Sequence, residues 1–89
     1  MTRKIVEHLG QVDYAEMVVP MAVIYKNTKD TSEGYIVRLW EGEKGTPTNI
    51  EVRTGTLNEA RKAIAKSGRM DFCIPRAECD DPVIVETWM

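Results

Sequence analysis

Only one stretch of this sequence carries both a start and a stop signal for a helix, and that limits the fold more than any other feature. Thr56-Leu57-Asn58-Glu59 has the spacing of a capping box. In that motif the Thr56 hydroxyl accepts the Glu59 backbone N–H, and the Glu59 carboxylate accepts that of Thr56. Ala60 to Ser67 are mostly good helix formers, and Gly68 offers the left-handed position that stops a helix. Leu57, Ala60, Ala63 and Ile64 fall on one side as the expected buried stripe, while Lys62 and Lys66 fall outward.

Elsewhere the apolar pattern reads as strands. Val18–Lys26 is apolar on both alternating faces, which suits a central strand covered on both sides. Gly34–Glu41 continues with Tyr35, Val37 and Leu39 on one face and Ile36, Arg38 and Trp40 on the other, and the polar residues 27–34 join the two runs as an antiparallel hairpin. A loop at 42–48 leads to a half-exposed strand at Asn49–Thr54. After the helix, Met70–Pro75 and Val83–Trp88 read as a closing hairpin, with Pro75 and Pro82 at strand ends or edges because proline lacks a ladder donor. Residues 1–17 fit neither period and are expected to form a short helix or an added edge strand. The expected class is α+β, a mainly antiparallel βββ-α-ββ sheet with one helix on one face.

Eighty-nine residues provide one hydrophobic core, so a single domain spanning 1–89 is expected. A chain of this size buries only about 60–65% of its unfolded surface, a thin margin to which a homodimer or another partner would add. The longest apolar run, residues 17–25, falls short of the roughly 20 needed to span a bilayer, and the charge at Glu7 interrupts any signal-peptide core. No membrane association is expected. Cys73 and Cys79 do not make a disulfide scaffold, which points to reduced thiols in the cytoplasm.

The residues that carry chemistry do not converge. His8 is the only histidine, so every Cys–His or Ser–His–Asp arrangement would depend on it, and its expected role is surface or packing. No metal site is expected, because Cys73 and Cys79 lack paired zinc spacing and Glu78, Asp80 and Asp81 lack the ordered spacing of a calcium loop. Acidic neighbours disfavour a Cys79 thiolate, and Cys73, between Phe72 and Ile74, reads as unreactive packing. No phosphate-binding glycine pattern precedes the helix, so no cofactor is implied.

Charge is segregated rather than large, since the net value is only −2. Arg53, Arg61, Lys62, Lys66 and Arg69 face a single acid, Glu59, within 53–69, whereas 70–89 holds five acids against Arg76. The expected interaction set is Arg53, Arg61, Lys62, Lys66 and Arg69 with Tyr35, Arg38 and Trp40. With no catalytic set, the chain reads as a small non-enzymatic protein-binding or regulatory module. Its size and turn-rich style are compatible with a phage or mobile-element accessory protein inhibiting a host complex. A protein is the expected partner. The alternatives are an RNA or single-stranded nucleic-acid-binding module using the basic helix and aromatic strand residues, and a small enzyme without a recognisable motif.

Overall fold

The computed structural model describes residues 4–15, 17–26, 34–75 and 84–89. Within them the chain runs β1 (Lys4–Ile5), a 3-10 turn (Leu9–Gln11), β2 (Pro20–Lys26), β3 (Tyr35–Glu41), β4 (Thr46–Thr54), α1 (Leu57–Ala65), β5 (Cys73–Pro75) and β6 (Ile84–Trp88). The strands make a six-stranded sheet in the order β1-β4-β3-β2-β6-β5. All neighbours are antiparallel except β1 and β4. This is the α+β, one-helix architecture that the sequence pattern calls for. Its radius of gyration, 12.2 Å, matches the roughly 12 Å of a tightly folded chain this long.

Cross-strand partners share a face of the sheet, so the register sorts side chains into two sets. One row runs Val52, Val37, Ile24, Glu86, and the next runs Leu39, Ala22, Trp88, Cys73. These rows face α1. Ala60, Ala63 and Ile64 of the helix close over Ala22, Ile24, Val37, Leu39 and Val52, with Leu9, Tyr14 and Met70 completing the buried cluster. The opposite row runs Ile5, Glu51, Arg38, Val23, Thr87, Ile74 across all six strands. No second layer of described elements covers it.

The helix begins as its sequence requires. Thr56 is extended, at φ −133° and ψ 156°, and its hydroxyl accepts the Glu59 N–H at 3.1 Å. The return bond from the Glu59 carboxylate to Thr56 is not formed among the described residues, so the cap works through one arm of the box. Gly68 has φ +67° and follows the last helical turn, where its N–H bonds the Ala65 carbonyl at 3.1 Å. Replacing Thr56 with alanine is expected to lower stability by about 0.5–2 kcal/mol, the range for losing an N-cap oxygen. A chemical denaturation midpoint that does not move would reject the cap.

Four sequence expectations need adjustment. First, β4 starts at Thr46 rather than Asn49, because the ladder with β3 resumes beyond a bulge that leaves Leu39 without a partner on β4. Thr48 fills that gap: its hydroxyl donates to the Leu39 carbonyl at 2.7 Å, and its own carbonyl accepts Arg38 Nε at 3.1 Å. Second, the N-terminal segment is both of its alternatives at once, a two-residue edge strand parallel to β4 and a separate 3-10 turn. Third, β2 is central but has a helix on one side only, and Val23 is buried on the other side within the sheet's own side chains. Fourth, β5 is shorter than the run beginning at Met70, because Met70 turns into the core beneath the helix instead of continuing the strand. The connections at 27–33 and 76–83, with Cys79 and the Glu78, Asp80 and Asp81 cluster, lie outside the described residues.

Candidate interaction surfaces and a buried carboxylate

The eight residues singled out by sequence do not gather in one place. Arg61, Lys62 and Lys66 are exposed on α1, and Arg69 follows the helix stop. Arg38, Trp40 and Arg53 lie on the far side of the molecule, on the uncovered face of the sheet. Tyr35 pairs with Thr54 and Lys26, shares the face of Val37 and Leu39, and packs half-buried against the core.

Several of these cations already have partners. Arg53 donates from Nε and Nη2 to Glu51 Oε1 at 3.3 and 3.1 Å. The Arg69 guanidinium sits 5.0 Å from the centre of the Tyr14 ring, near enough for a cation–π contact. Arg61 donates from Nε to Glu86 Oε1 at 2.7 Å and from Nη2 to Glu86 Oε2 at 3.2 Å. The basic helix and the acidic C-terminal segment therefore meet in a bidentate pair, which accounts for part of the charge segregation.

Glu86 lies beneath the helix because its position on β6 falls in the same row as Ile24, Val37 and Val52. It is buried, and a carboxylate there must be neutralised by neighbours. The Arg61 bonds hold its carboxyl below the ordinary range against the opposing effect of burial. Cys73 Sγ donates to Oε2 at 3.1 Å and lowers it further. A weaker pull comes from the Trp88 indole, whose buried Nε1 falls short of a hydrogen bond.

Cys73 does not pack in the interior as its apolar neighbours suggest. It is exposed on the outermost strand. Partial desolvation at the sulfur and the bond to Glu86 raise its thiol, so the protonated form prevails at neutral pH. His8 also has a local role, because its Nδ1 accepts the Gly10 N–H at 3.1 Å and caps the 3-10 turn.

The uncovered face is mixed in chemistry. Met21 pairs with Trp40, and Tyr25 pairs with Ile36, all half-buried, on either side of the Val23–Arg38 pair. Towards β5 it becomes more apolar and more open. Phe72 is 75% exposed, Ile74 44% and Met89 40%. In the sequence alone Phe72 and Ile74 read as ordinary strand content. The available signal was Pro75 closing a run in which Phe72 and Ile74 alternate, a pattern suited to an edge strand.

Among the described residues no three His, Cys, Asp or Glu side chains cluster to hold a metal ion, and no helix is long and apolar enough to cross a membrane. Comparison with protein-family models, with curated proteins and with solved structures gives no match to this chain.

Proposed function

We propose that this chain is a non-enzymatic protein-binding module that docks its partner on the uncovered face of the sheet. The observation that carries the reading is the row-by-row arrangement of Met21, Tyr25, Ile36 and Trp40 around Arg38 on a face with no second layer among the described residues. A sheet normally buries one face and solvates the other with polar residues, so apolar and aromatic side chains on both faces favour a partner. Aromatic and arginine side chains are also the types enriched at protein interfaces.

A nucleic-acid ligand has less support. The cations proposed to contact phosphates divide between two sides of the molecule, and Arg53 and Arg61 are already engaged by carboxylates. One strand of nucleic acid has no continuous basic track to follow.

Capture from a native lysate on the immobilised chain, with and without nuclease, tests the reading. A protein retained after nuclease treatment is expected, lost with Ile36→Asp and kept with the helix-face double variant Lys62→Glu, Lys66→Glu. Both variants are first checked for native circular dichroism. A ligand lost to nuclease and steeply weakened by salt would replace this reading with the nucleic-acid one.

A further inference from the structure

We propose that two copies of the chain join their β5 strands antiparallel about a two-fold axis at Cys73, making one continuous sheet. The inference does not depend on which protein docks on the open face, because edge pairing covers only its β5 margin and leaves the region around Arg38 open in both copies.

The backbone bonding on β5 carries the argument. Phe72 N–H donates to the Met89 carbonyl at 3.1 Å, and Met89 N–H donates to the Phe72 carbonyl at 2.9 Å. Phe72 is therefore the hydrogen-bonded member of this ladder. Alternation along an antiparallel strand then turns the N–H and C=O of Cys73 away from β6, towards the outer edge of the sheet. These two groups form a donor and acceptor pair at the end of a six-stranded sheet, and their natural partner is another extended strand.

Side chains select a second copy and fix the register. With Cys73 opposite the partner's Cys73, the two residues exchange both backbone bonds. Phe72 then lies across from the partner's Ile74, and Ile74 from the partner's Phe72, so the two most exposed apolar groups of the edge cover each other twice. Shifting the axis to Phe72 would set Ile74 opposite the partner's Met70, which is 3% exposed in its own core, and would leave Ile74 uncovered. Centring on Pro75 fails because proline has no N–H. The same proline limits the shared ladder to a few residues, and the two-fold pairing uses up both β5 edges. The remaining edge, β1, is two residues long among the described residues. The assembly therefore closes as a pair instead of growing into a filament.

The test uses the full chain carrying Cys79→Ser, so that Cys73 is the only thiol. Light scattering is expected to give twice the 10.1 kDa mass of one chain. Mild oxidation should cross-link that dimer through Cys73, since a hydrogen-bonded antiparallel pair holds its Cα atoms about 5.5 Å apart, within the span a disulfide bridges. Ile74→Asp should weaken the dimer at least about tenfold while leaving the circular dichroism native. If that variant does not fold, Ile74→Lys makes the same test with the opposite charge. A single-chain mass at millimolar protein, a dimer unaffected by a folded Ile74 variant, or a dimer that does not cross-link through Cys73 would each overturn the inference. A monomer that still captures its partner through Ile36 would reject this pairing alone, and a cross-linked dimer that captures nothing would reject only the docking reading.

Discussion

Replacing Leu9 with alanine is expected to lower the unfolding free energy by about 2–5 kcal/mol, the range for a large aliphatic side chain deleted from a closed core. Leu9 is completely buried, although it belongs to a three-residue 3-10 turn in the part of the chain with the weakest local signal. Two observations show that the site cannot easily collapse around the deletion. The Leu9 carbonyl accepts the Tyr14 hydroxyl at 2.8 Å, so the turn is tied to a second buried group. A Cβ placed on neighbouring Gly10 would lie 2.8 Å from the Lys66 carbonyl, which shows how tightly the turn meets the end of α1. Urea unfolding followed by circular dichroism measures the loss. A change under about 0.5 kcal/mol, the size of an ordinary surface substitution, would mean that the N-terminal segment is an appendage and not part of the core.

That segment marks where local reading of the sequence runs out. The helix is legible because its signals are local: Thr56 starts it, Gly68 follows its end, and Ala60, Ala63 and Ile64 repeat at helical spacing between them. β2 and β3 are legible because period-two alternation spans seven residues in each. Leu9 has no such company, being a single large apolar residue beside a glycine, and its burial depends on contacts with α1 far along the chain.

The candidate surfaces failed to cohere for a related reason. Tyr35, Arg38 and Trp40 are close in sequence, yet strand alternation sends Tyr35 to the helix side and the other two to the open side. Arg61 and Arg53 read as available cations in the sequence because nothing local marks both of their carboxylate partners. Glu51 is only two residues from Arg53, but Glu86 is brought to Arg61 by the β2–β6 register, which no local pattern encodes. Phe72 and Ile74 reached the surface because β5 is the last strand, and strand order is the property least visible in a single sequence.

The Arg61–Glu86 pair gives a pH-dependent expectation whose sign follows from its geometry. Arg61, more than burial, sets the Glu86 carboxyl, holding it below its ordinary value. The folded state therefore binds this proton less readily than the unfolded state. The stability it supplies is complete above the ordinary carboxylate pKa and disappears as pH falls through the depressed folded value. Glu86→Ala is expected to cost about 1.5–3 kcal/mol at neutral pH, the range for hydrogen bonds to a charged group. Arg61 is half exposed, and solvent screening places the result towards the lower end. Arg61→Ala leaves the carboxylate under the helix with burial as its strongest remaining influence, so the carboxyl moves upward. Its destabilisation should be greatest near neutral pH, where Glu86 must stay ionised without its partner, and should shrink as acid protonates the group. Combining Arg61→Ala with Glu86→Gln in a double-mutant cycle isolates the effect from all other carboxylates. The coupling energy should fall towards zero on acidification. A coupling that stays constant from neutral to acid pH would show that the two side chains hold the helix by packing alone, with no contribution from the charge on Glu86.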